Sequence, residues 1–201
     1  YPIGKRYDGG TVVVAPEHAA DYAAATNDTS AAYTDADPIA PPMFHVRLIK
    51  DTMFQVAGDP ELNLDMLRLV HGEHDATFHH PVRPGDAVRV EGELEAVTEK
   101  SSGLLVVSRH RGFVGDVCTF EAKTAYFIRA KTRGDKPKGP RKPAEAPPPP
   151  QQSVSWSVDA DQSHRYAEAS LDRNGIHIDA AVATAAGLPD VILHGLCTMA
   201  M

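Results

Sequence analysis

Between Lys131 and Gln152 the sequence contains nothing a core can be built from, with Lys and Arg early and an unbroken Pro147 to Pro150 late. Proline fixes φ and lacks an N–H, so such a stretch reads as an extended connector. At roughly 3.1 Å per residue it could run about 60 to 70 Å, enough to cross the face of a small domain. The basic residues in it read as solvated, as charged linkers usually are. The 201-residue chain therefore divides into residues 1–130, a linker over 131–152, and residues 153–201.

In the first part, Thr11 to Ala15 is a β-branched run, and Pro16-Glu17 starts a helix reaching about Ala25, with Pro in the first turn and an acid at the positive end of the dipole. Thr26 to Pro42 is polar and broken by proline, an irregular excursion. Met43 to Val56 reads as a second helix with Phe44, Leu48, Met53 and Val56 on its apolar side. From Met66 the period changes to two. Leu67, Leu69 and His71 mark one strand, Asp75 to Val82 a second, and Ala87 to Thr98, Gly103 to Arg111 and Val117 to Arg129 three more.

Beyond the linker the chain repeats its beginning. Aligning Tyr22 with Tyr166 also matches Val14 with Val158, Ala23 with Ala167, Ala25 with Ala169 and Asp28 with Asp172. Asp159 and Gln162 form a capping-box-like start for the second copy's first helix. The copies differ in chemistry. Tyr33 falls at the position of His177, Ser30 at that of Asn174, and Phe44-His45, after a short insertion, where His194-Gly195 stand.

The second copy thus carries Ser170-Leu-Asp172-Arg-Asn174-Gly175-Ile-His177, which places a carboxylate, an amide and an imidazole on a segment that Gly175 makes too irregular for a plain helix. A general base must lie within hydrogen-bond reach of the proton it takes, and such a loop can aim several polar groups at one water. His194-Gly195 then opens the apolar helix Leu196-Cys-Thr-Met-Ala-Met201, whose first N–H groups lack partners within the helix and can receive a developing oxyanion. Ser170 has no flanking glycines of a nucleophile elbow and reads as a hydrogen-bonding neighbour. His79-His80, in a strand, would point to opposite faces and cannot share a metal, and His71 and His74 lack a clear third ligand.

These residues resemble the MaoC-like, R-specific enoyl-CoA hydratases of two-repeat type, whose signature runs Tyr, Ser-Gly-Asp-x-Asn-Pro-Ile-His-x-Asp, then His-Gly at the start of the central helix. Leu171 stands where the family has Gly, and Gly175 where it has Pro. Leu69-Val-His71-Gly-Glu73 with Pro81-Val-Arg-Pro-Gly-Asp86 resembles the family's first repeat. The resemblance implies an α+β double hot-dog, an antiparallel sheet wrapped around a central helix, and the chain's element order agrees. The second hot-dog stops at Met201 inside its central helix, so a fragment or a longer native polypeptide is expected.

The implied reaction is reversible hydration of a trans-2-enoyl-CoA, or acyl-carrier thioester, to the (3R)-3-hydroxyacyl thioester. Asp172, His177 and Asn174 are then the catalytic residues, and Gly195, His194 and Ser170 the oxyanion and substrate-binding ones. The first repeat would have given up chemistry and make room for a long acyl chain. No metal and no cofactor is expected, and the implied assembly is a homodimer of two-repeat chains or a heteromeric hydratase complex. Two alternatives stand beside this: a non-catalytic acyl-thioester-binding accessory subunit, motivated by Leu171 and Gly175, and a hot-dog thioesterase. A net charge of −7 with 42% hydrophobic residues argues against a nucleic-acid or membrane-surface binder. No apolar run reaches the ~20 residues of a membrane span, so the chain reads as cytoplasmic, with Cys118 and Cys197 as reduced thiols.

Overall fold

The structure, a computed structural model, describes residues 1–130, 152–153 and 155–201, so the expected linker, all but its last residue, lies outside the described residues. Five antiparallel strands, β1 (Arg6–Val13), β2 (Leu69–Phe78), β3 (Ala87–Lys100), β4 (Gly103–Val114) and β5 (Val117–Arg129), form one sheet in the order β1-β3-β4-β5-β2. Helix α1 (Pro16–Ala25) begins with Pro in its first turn and Glu17 beside it. Helix α2 (His45–Ala57) follows a 3-10 turn over Pro42–Phe44 and lies across β1, β3 and β4. It lies so close that a Cβ on Gly92 of β3 would stand 2.9 Å from the Thr52 Cβ. Val46, Leu48, Ile49 and Val56 face the sheet's Val88, Val90, Leu94 and Phe120, all nearly or fully buried. Burying each such side chain contributes about 1.5 to 3 kcal/mol, which holds α2 on the sheet.

Two strand expectations are corrected. The first strand starts earlier and ends at Val13, not Ala15. The two strands expected from Leu67 and from Asp75 are one, because Gly72 is taken up in a β-bulge between His71 and Glu73 without ending the pairing to β5. Met66–Arg68 is a 3-10 turn, and His79-His80 fall just beyond β2 at the bend into Pro81, so the opposite-face argument does not apply to them.

The bulge shifts which side chains face inward. Residues three apart on a regular strand face opposite sides, yet His71 and His74 approach with ring centroids 5.5 Å apart. His74 Nε2 lies 2.8 Å from His45 Nε2 at the start of α2, and His45 Nδ1–H donates to the Pro42 carbonyl at 2.9 Å. His110 Nδ1 and Nε2 each sit 2.8 Å from a hydroxyl, of Thr52 and Ser108. Burial pushes these imidazoles down, to about 4 for His45 and about 3 for His74 and His110, so they are neutral at neutral pH.

Residues 155–201 add α3 (Gln162–Ser170), α4 (Ala180–Ala185) and α5 (Gly195–Ala200), with no strand among the described residues. Helix α3 packs on α1, and Tyr22 and Tyr166, 144 positions apart, meet with hydroxyls 3.0 Å apart. Tyr166, Ala169 and Cys197 share one core with Tyr22, Phe44 and Ile49. The expected capping box does not form. The Asp159 carboxylate pairs with Arg165 Nη2 at 2.7 Å, and the Gln162 side chain turns inward to the Ala25 carbonyl and to Asn27, 2.9 Å away. Satisfying the end of α1 takes the amide that a box would need. No helix among the described residues is long and apolar enough to cross a membrane.

Candidate active site

Helix α3 ends at Leu171, whose φ of 64° is left-handed and turns the chain sharply back on itself. A β-substituted residue adopts that conformation at a cost of roughly 1 kcal/mol. The turn that follows is closed by its own side chains. Ser170 Oγ donates to the Tyr166 carbonyl at 2.7 Å and accepts from Asp172 N–H at 3.2 Å. Asp172 Oδ1 accepts from Asn174 N–H at 3.2 Å, and Asn174 Oδ1 caps the 3-10 turn Gly175–His177 at Ile176 N–H, 3.4 Å away. Ser170 is thus a buried loop clamp, and Asn174 is an exposed cap with only its NH2 left over. Val182 fills the space beside Gly175, where an added Cβ would meet Val182 Cγ1 at 2.8 Å.

Two histidines complete the group. His177 Nδ1–H donates to the Ile192 carbonyl at 2.7 Å, which leaves Nε2 as its open atom. His194, 1% exposed, donates from Nε2–H to the Asp172 carbonyl at 2.9 Å, and its Nδ1 is buried without a partner. Burial and then His177 push the His194 imidazole down, against the Asp172 charge. Each backbone carbonyl therefore fixes a tautomer, as the outer partners of reactive imidazoles do. The two rings stack, centroids 3.9 Å apart and 24° between planes, and His194 also lies against Tyr166 at 4.9 Å. Asp172, His177 and His194 bring one ligand atom each within 4.8 Å of one another. The group can share a water or a substrate hydroxyl.

All six expected residues fall in this one place. Gly195 begins α5 with open space where a side chain would be, directly after His194. Sequence reasoning missed the facing wall. The Asp172 charge acts on His71 and on Tyr126, both from the first repeat's sheet, and burial holds the Tyr126 phenol protonated, well above its usual range. Alternation places both in strands but does not say that their strands meet the second part of the chain there.

Residues 2–132 match the family described as FAS1-like, dehydratase domain region, and residues 142–201 match the MaoC like domain. The 3-hydroxyacyl-thioester dehydratase X of Mycobacterium tuberculosis is 30% identical over 133 residues, 65% of this chain and 46% of that protein. Peroxisomal multifunctional enzyme type 2 of Drosophila melanogaster is 29% identical over 178 residues, 82% of this chain and 29% of that protein. The chain thus spans less than half the length of either relative. The crystal structure of HtdX from Mycobacterium tuberculosis superposes with a TM-score of 0.76 at 23% identity, over 98% of this chain and 73% of that one, which establishes the hot-dog fold. With both of its parts matched in this way, the chain belongs to the MaoC-like dehydratase family.

Proposed function

We propose that the protein catalyses the reversible hydration of a trans-2-enoyl thioester, on CoA or an acyl carrier, to the (3R)-3-hydroxyacyl thioester. The observation that carries this is the open Nε2 of His177 beside the Asp172 carboxylate, the first held by the Ile192 carbonyl and the second by the Asn174 N–H of its own turn. His177 Nε2 takes a proton from the water as its oxygen bonds to C3, and Asp172 manages the proton that reaches C2. The NH2 of Asn174 orients the water and substrate. The Gly195 N–H receives the thioester oxygen as enolate charge builds, a kind of donor whose loss typically costs about 10²- to 10³-fold in rate. The first repeat, residues 1–130, encloses the acyl chain, and residues 153–201 carry the chemistry. We further assign it to the cytoplasm, as a homodimer of two-repeat chains or one half of a heteromeric hydratase.

The accessory-subunit reading rests on Leu171 in its left-handed conformation and on Gly175. Incubation with short- and long-chain trans-2-enoyl-CoA, with loss of conjugated absorbance followed and product chirality resolved, separates the readings. A (3R)-hydroxyacyl product supports hydratase; saturable binding without turnover supports the accessory subunit; release of free CoA marks a thioesterase.

A further inference from the structure

Two buried side-chain atoms among the described residues have no hydrogen-bond partner, His71 Nε2 and His194 Nδ1, and they belong to different repeats. Both imidazoles feel the Asp172 charge. A buried acceptor without a donor is unfavourable, so two of them within reach of one carboxylate's charge point to a donor that arrives with the ligand.

His71 reaches that place by construction. It lies on β2 directly opposite Tyr126 of β5, with ring centroids 5.4 Å apart, at the residue where the bulge begins. Bulges re-aim side chains and are common beside active sites. The Glu73 backbone carbonyl accepts from the ring, which by elimination uses Nδ1–H, and burial keeps the imidazole neutral, so Nε2 presents a lone pair. A carboxylate oxygen and an imidazole lone pair are both acceptors, and no hydrogen bond joins His71 Nε2 to Asp172. What fits between them is an O–H.

We infer that His71 of the first repeat touches the reacting oxygen and is a further catalytic residue of the hydration, resting on the function proposed above. When water adds, its oxygen bonds to C3 as His177 Nε2 takes one of its protons, and that proton is relayed through Asp172 to C2, so that both side chains end as they began. The second hydrogen stays on oxygen as that of the product hydroxyl. His71 Nε2 accepts a hydrogen bond from it, which aims the oxygen's lone pair at C3 in one direction and holds the leaving hydroxyl in the other. The first repeat then takes part in the reaction centre as well as enclosing the chain.

The test uses two variants of similar bulk in the whole protein: His71→Leu, which has no acceptor, and His71→Gln, which keeps one. Assayed with trans-2-butenoyl-CoA, too short to reach an acyl-chain wall, His71→Leu is expected to lose about tenfold to a hundredfold in kcat with KM changed less than about threefold. His71→Gln is expected to retain at least about fivefold more kcat than His71→Leu, with both melting near wild type. A wild-type kcat in His71→Leu on the short substrate, equal losses in both variants, or a loss confined to KM for long chains overturns the inference and leaves the hydratase intact. Absence of hydration by the wild-type protein overturns the proposed function itself, and this inference with it.

Discussion

The turn after α1 and the turn after α3 are built alike and equipped differently. Asn27 and Leu171 hold the same left-handed conformation at corresponding positions, with φ of 56° and 64°. Asp28 Oδ1 accepts from Ser30 N–H at 2.9 Å as Asp172 Oδ1 accepts from Asn174 N–H at 3.2 Å, and Ser30 caps a 3-10 turn over Ala31–Tyr33 as Asn174 caps Gly175–His177. Inside, Tyr22 lies edge-on to Phe44 at 5.7 Å where Tyr166 lies against His194 at 4.9 Å. The scaffold is thus set by the backbone and its short polar caps. Among the side chains that differ are Tyr33 for His177, Ser30 for Asn174 and Phe44 for His194. Phenyl and phenol offer no base of suitable pKa at neutral pH, so only the turn after α3 presents imidazoles that could take a proton.

The sharpest break of this symmetry is expected in turnover. His177→Ala should lower kcat for trans-2-enoyl-CoA by about 10³-fold or more with little change in melting, whereas Tyr33→Ala should change it by less than about threefold, as read in the absorbance assay. Comparable losses in both would make the copies functional equals.

A second contrast lies in acid stability. His45, His74 and His110 all belong to the first repeat, and their folded pKa values lie below the unfolded one. The unfolded chain therefore binds more protons than the folded one between about pH 6.5 and 4, so stability is full above that window and is lost as pH falls through it. Melting at pH 4.5 is expected roughly 10 °C or more below that at pH 7.5. A flat profile across the window would mean that these imidazoles are not buried neutral.

The Tyr22–Tyr166 pair sharpens the comparison at the seam. Tyr166→Phe leaves the Tyr22 hydroxyl without its partner and should cost about 1 to 3 kcal/mol in denaturant unfolding. Adding Tyr22→Phe should cost less than a second such amount, and strictly additive losses would show that the hydroxyls do not interact. The smallest effect concerns the turns themselves. Leu171→Gly should gain up to about 1 kcal/mol, while Asn27→Gly stays within about 0.5, because Asn already tolerates positive φ. Destabilisation by Leu171→Gly would mean that its side-chain packing outweighs its backbone strain.

Much of this was legible in the residues. Period-two alternation located β3, β4 and β5 to within a few positions, because one face of each is buried against α2 and the alternation records it. The polar spacing in 170–177 and 194–195 marked residues that the folded chain gathers in one place, since short-range caps and turns are local and leave a local signature. What escaped was set by longer-range context. A bulge at Gly72 reverses the parity of the residues after it, so no simple alternation could bring His74 to the same side as His71. The Gln162 amide was claimed by the end of a helix far away in the sequence, so its capping pattern lost to a tertiary contact. Gly175 shows the same limit, for Val182 fills the space beside it only once α4 has folded back.

The most direct test of the account is to compare Asp172→Asn with Asp28→Asn in the same hydration assay, with product chirality resolved. The two carboxylates make the same hydrogen bond in the same turn, so a merely structural role would weaken both variants alike. The account predicts that Asp172→Asn loses (3R)-hydroxyacyl formation almost completely while Asp28→Asn keeps it near wild type. Retention of most activity in Asp172→Asn, or equal loss in both, would contradict it.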